Sequence, residues 1–160
     1  MNEVPKDILQ LVSNAFSDAA GPAAYRHKES GFFYETEGYE IAKALLNLHP
    51  EDIQHDEIID PISGTFMPGW CTNEGLLWLI PGIVRVIFED DPQSGDYVLE
   101  SLIAEIHFRV SNKELILDRN QMVALLELHE AFYCSEEFGW RPDLYNDPLC
   151  DWIHKELLKY

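Results

Sequence analysis

The chain reads as all-α, a single-domain irregular bundle of about six helices. Three observations lead there. Apolar residues recur at helical spacing in several separate stretches, and Gly, Pro and Asp cluster between those stretches. No apolar–polar alternation runs longer than about four residues, so no strand or hairpin is expected. Without an internal repeat or a low-complexity linker, the 160 residues are expected to form one domain spanning 1–160.

In the first element, Ile8, Leu11, Val12, Ala15, Phe16 and Ala19 follow the rhythm of one helix face. Pro5 suits its first turn and Gly21-Pro22 ends it. Residues 22–33 read as irregular, with Tyr25, Phe32 and Phe33 tucked onto the core. A second helix is expected from Glu35 to Asn47, with its acidic residues at the start and Ile41, Ala44, Leu45 and Leu48 inside. Beyond Pro50, the acidic stretch from Glu51 to Asp60 has room for one or two helical turns. Asp60-Pro61-Ile62-Ser63-Gly64 and Met67-Pro68-Gly69 then mark a surface loop.

The central element is expected over residues 72–88. Thr72 is a good N-cap, Glu74 lies in the first turn, and nearly every residue from Leu76 to Phe88 is apolar, so the helix should be enclosed on most sides. Pro81 lacks a backbone donor, which predicts a kink or a break there. Gly75 and Gly82 would let a neighbour approach closely.

Asp90 to Gly95 reads as a turn, followed by a helix facing inward through Val98, Leu99, Leu102, Ile103, Ile106 and Val110. Leu115-Ile116-Leu117 reads as a short extended piece. Asp118 and Gln121 have the spacing of a capping box. They open a helix that buries Met122, Leu125, Leu126, Phe132 and Tyr133 and ends before Gly139. Asp147-Pro148 starts the last helix, with Leu149, Trp152, Ile153 and Leu157 inside.

Charge is the strongest functional pointer. Sixteen acidic and two basic residues lie between Glu29 and Phe108, giving −14 of the chain's −18 formal charge. Hydrophobic residues at 46% and aromatics at 12% set the chain apart from acidic disordered sequences. Such a field repels nucleic acid and anionic membranes and attracts a basic protein. Three cysteines without Cys-x-x-Cys spacing suit reduced thiols, and no secretory or membrane-spanning segment is visible. A cytoplasmic location is expected.

Candidate sites divide by chemistry. Asp52, Asp56 and Asp60 would share a face if residues 51–60 were one helix, and three carboxylates on a face can hold a hard cation. The stretch lacks the glycine and alternating spacing of a calcium loop, so the carboxylates read first as a solvated face. His107 and His129 lie on or beside apolar stripes, without zinc-ligand spacing, and read as core histidines. Cys150 and His154 are one turn apart but lack a third group. Arg85 is flanked by apolar residues and is expected to be partly buried, first as an ion pair that fixes helix register and alternatively as an anion-recognition group in a pocket. Trp70 and Trp140 sit beside Gly and Pro, where they can anchor a partner or pin a loop to the core. The residues assigned to partner binding are Asp52, Asp56, Glu57, Asp60, Trp70, Glu89, Asp90, Asp91, Asp96 and Trp140. No catalytic residue, cofactor or metal is assigned.

Several landmarks form a familiar order: Ala15-Phe16, then Pro22 and Tyr25-Arg26-His27, Glu37 through Leu46, Phe66, and above all Thr72-Asn73-Glu74-Gly75-Leu76-Leu77-Trp78-Leu79-Ile80-Pro81. Over residues 10–90 this order resembles an uncharacterised family of small acidic helical bacterial proteins, a domain of unknown function. The resemblance implies no activity, so it assigns no catalytic residue.

The expected function is therefore a non-enzymatic acidic binding protein. Its most specific form is an immunity or inhibitor protein whose carboxylates stand in for phosphates against a basic partner such as a nuclease toxin. One alternative is a cytosolic scaffold or housekeeping domain whose acidity serves only solubility. Another is a small metal-dependent hydrolase built around His107 and His129.

Overall fold

The protein is seen in a computed structural model that describes residues 6–17, 40–41, 43–133 and 148–159. The bundle is all-α. Its helices are α1 (Lys6–Ala15), α2 (His55–Ile58), α3 (Asn73–Glu89), α4 (Pro92–Ser111), α5 (Arg119–Tyr133) and α6 (Pro148–Leu157). Residues 40–41 and 43–46 are also helical, and 3-10 turns cover Pro50–Asp52 and Met67–Trp70. The β-type pairing identified is one antiparallel bridge, Ile59 to Phe66, closing the loop between them.

The hydrophobic helix α3 is the hub. It packs against α1, α4 and both 3-10 turns, while α5 lies on α1 and α6 lies on α4 and α5. Leu76, Leu79, Ile80, Ile83, Val84 and Ile87 on α3 are completely buried. Burying each such side chain contributes about 1.5–3 kcal/mol, so this helix is a large contributor to the apolar core. Thr72 caps it, its hydroxyl accepting the Gly75 N–H at 3.2 Å. The helix continues without a break through Pro81. The apolar packing on several sides holds the turn where proline removes one hydrogen bond.

Gly82 explains how the Pro50–Asp52 turn can lie directly on α3. A Cβ at Gly82 would stand 2.4 Å from the Pro50 carbonyl oxygen, closer than any real contact allows. Gly95 performs the same task between α3 and α4, where a Cβ would stand 2.3 Å from the Ile87 carbonyl oxygen.

The boundary between α3 and α4 corrects the expected Asp90–Gly95 turn. Helix α4 begins at Pro92, with Asp91 as its N-cap. The Asp91 carboxylate accepts the Gln93 and Ser94 N–H groups at 3.1 and 3.0 Å, satisfying donors that a helix start leaves unpaired. The six apolar residues expected inside α4 are all buried. Asp118 and Gln121 form the reciprocal capping box at the start of α5, at 2.8 and 3.0 Å. In α1, Ile8, Val12 and Phe16 are buried as expected, but Leu11 is 37% exposed and lies off the inner face. The extended piece alternates as expected, with Leu115 and Leu117 buried and Ile116 outside.

Two arginines tie loops to helices. Half-buried Arg85 bonds Glu89 on its own helix at 2.6 Å and the Ile53 carbonyl at 2.5 Å. Its guanidinium therefore clasps the turn that lies on Gly82. Arg109 is only 1% exposed. It donates to Glu105 at 2.7 Å, Asn73 at 3.0 Å, and the Gly69 and Cys71 carbonyls at 3.1 and 2.9 Å. This set of partners offsets the cost of burying a cation and fastens the loop before α3 onto α4.

Candidate functional site

The carboxylates assigned from sequence come from two segments about forty residues apart, and the fold brings parts of them together. The first segment is not one helix. Asp52 ends a 3-10 turn, Asp56 lies in the single turn of α2, and Asp60 follows it. The shared face expected for Asp52, Asp56 and Asp60 is therefore absent, because the chain re-extends at Ile53-Gln54 and again at Ile59. Among the described residues, no group of three or more His, Cys, Asp or Glu side chains is placed to hold a metal ion.

The second segment is the junction of α3 and α4. His55 of α2 reaches it, with Nε2 3.9 Å from Asp90 Oδ2 and Nδ1 3.5 Å from Asp56. Beside this contact an open groove of about 420 Å³ is lined by His55, Gln93, Ser94, Asp96, Tyr97 and Glu100. Tyr97 anchors the neighbouring loop, donating its hydroxyl to the Gly64 carbonyl at 2.9 Å. Among the described residues, the groove has two acidic lining residues, one histidine and no lysine or arginine.

Most of these carboxylates have internal duties. Glu57 accepts the Gln54 N–H and caps α2. Asp60 accepts the Ile62 N–H at 3.0 Å and the Ser63 hydroxyl at 2.7 Å, shaping the turn that holds Ile62 outward. Asp91 caps α4, and Asp96 accepts the Tyr133 hydroxyl at 2.7 Å. These donors are all neutral, so they fix each carboxylate without cancelling its charge. By contrast, Glu89 is paired with the Arg85 cation. Asp52 and Asp56 are exposed.

Titration divides accordingly. Asp60 is held below its ordinary value, first by the Ile62 N–H and then by the Ser63 hydroxyl. Asp91 is held low by the Ser94 N–H and hydroxyl. Both remain anionic at neutral pH. Asp90 moves the other way because burial penalises its charge; His55 opposes that shift, while Asp91, Glu89 and Asp56 add to it. His55, in contact with both Asp56 and Asp90, is where the two acidic segments meet.

The aromatic assignments fare differently. Trp70 is half-buried and packs on the core from its 3-10 turn, so it pins that turn to the core. Trp140 and Cys134 lie outside the described residues. Two exposed apolar groups lie in these segments: Tyr97, which lines the groove, at 47%, and Ile62, whose N–H bonds Asp60, at 96%. Neither was singled out from sequence as a contact, although Ile62 between proline and serine in a turn carried the signal. His129 is buried and its ring lies 4.6 Å from that of Tyr133; His107 is half-buried, 3.3 Å from the Ser111 hydroxyl. Cys150 is buried, whereas His154, its neighbour one turn on, is exposed.

Comparison with protein-family models yields no match, nor does comparison with curated proteins or with solved structures. No helix among the described residues is long and apolar enough to cross a membrane.

Proposed function

We propose that this chain is a non-enzymatic binding protein that uses the acidic surface around the His55–Tyr97 groove to engage a basic protein. The observation that carries this reading is the position of His55, 3.5 Å from Asp56 and 3.9 Å from Asp90, which joins the two acidic segments beside a groove lined by Asp96 and Glu100. The charge is held by neutral donors at Asp60, Asp91 and Asp96, so it acts outward. A surface of this kind speeds encounter with a cationic partner and disfavours anionic ones.

The most specific form is an immunity or inhibitor protein. Carboxylates would occupy the sites where a nuclease or another phosphate-binding toxin holds backbone phosphates. Affinity capture from cell extract, at low salt and again at about 1 M salt where screening acts within about 3 Å, tests the reading. The expected result is one or more basic proteins retained at low salt, lost at high salt, and lost at low salt when Asp56, Asp96 and Glu100 are changed to Asn, Asn and Gln. Capture indifferent to both salt and these substitutions would overturn it and leave the acidity to solubility alone.

A further inference from the structure

We infer that the apolar groove at the opposite chemical extreme of this surface is where a second copy of the chain docks. The groove, of about 640 Å³, lies where α4, the 115–117 segment, α5 and α6 meet. Buried Val110, Leu115 and Met122 and half-buried Trp152 line it. Ile116 lines it too, yet is 88% exposed, so the same patch carries both a cavity and a projecting apolar side chain.

That combination is what a two-fold contact demands. In an isologous interface each surface meets itself, so the knob and the hole must lie on one patch. Ile116 of each copy can then enter the groove of the other.

Charge selects the occupant. Among the described residues, the groove's ionisable lining is one cation, Lys113, and one anion, Glu156, the latter bonded to Lys159 at 2.6 Å. With one cation and one anion lining each groove among the described residues, two copies meeting here bring no excess negative charge into the contact. A chain of −18 formal charge meets its own kind poorly through the acidic groove, where Asp96 and Glu100 would face their counterparts. A strongly cationic partner, in turn, is steered to the acidic surface and away from this neutral one.

The two surfaces give opposite salt responses, which makes this inference independent of the proposed function. Screening weakens capture of a basic partner but relieves repulsion between two anionic copies. Sedimentation equilibrium of the purified chain, over a concentration series at low and high salt, reads the outcome. The expected result is a species of twice the 18.5 kDa chain mass, favoured by concentration and by added salt. Ile116→Asp should weaken dimerisation at least about tenfold. Lys113→Glu should weaken it as well, and Ile62→Asp, at an equally exposed isoleucine outside the groove, should leave it unchanged. A monomer throughout the series would overturn the inference. So would a dimer that Ile116→Asp does not weaken, or one that Ile62→Asp disrupts equally.

Discussion

Arg109 and Arg85 show how differently two arginines can serve one fold. Arg109 is sealed among three carbonyl-type acceptors and Glu105, so truncating it strands buried acceptors. Arg109→Met should lower the free energy of unfolding by about 3 kcal/mol or more, and Arg85→Met by about 1 kcal/mol. Urea unfolding of the two variants provides the comparison. The relative burial of these side chains was hard to see in the sequence. Arg85 attracts notice because its neighbours are apolar, but Arg109 is enclosed by carbonyls contributed some forty residues earlier. The local hint was its place one turn after Ile106 on the buried stripe, with Glu105 four residues before it.

At the same scale, the aspartates beside the groove predict opposed pH dependences. Asp90 has a raised value in the fold, so its burial cost is absent below the ordinary 3.8 and sets in as pH rises through the folded value. Asp91 has a lowered value, so its contribution is complete above 3.8 and is lost as pH falls through the folded value. Asp90→Asn should therefore raise stability at neutral pH and remove part of the decline just above 3.8. Asp91→Ala should lower stability at neutral pH and flatten the acid limb. Unfolding midpoints measured from about pH 3 to 7 separate the two signs.

The elements follow rules that the sequence displays locally. Apolar spacing located α1, α3, α4, α5 and α6, and Thr72 and Asp118–Gln121 fixed two helix starts, because caps act over three residues. The start of α4 was misplaced even though Asp91-Pro92 carries the same signal that located α6. The run Asp90 to Gly95 also satisfies the chemistry of a turn, and only contact with α3 decides between them. Gly82 and Gly95 mark the places where elements touch backbone to backbone. Gly82→Ala and Gly95→Ala should each destabilise by about 1–3 kcal/mol, since a Cβ forces the Pro50 or Ile87 carbonyl to move. Thr72→Ala should cost about 1 kcal/mol through loss of the cap. Thermal or chemical unfolding of these three variants tests the helix contacts and the cap.

For the whole molecule, composition and placement of charge are separate questions. The anionic composition was evident from a count, but its placement was not. One helix carrying Asp52, Asp56 and Asp60 would have been the simplest arrangement, whereas the carboxylates that meet at His55 come from α2 and from the junction of α3 with α4. Long-range packing around α3 creates that meeting, which no local pattern encodes. The same packing keeps Trp70 inward and leaves Ile62 and Tyr97 outward beside the carboxylates. The association rate with the captured basic partner, measured by stopped flow at stepped ionic strength, tests the functional account most directly. For the unmodified chain it should fall at least about tenfold between about 0.05 and 0.5 M salt. With Asp56, Asp96 and Glu100 neutralised, it should start low and change little. Equal rates for the two proteins at every ionic strength would contradict the account.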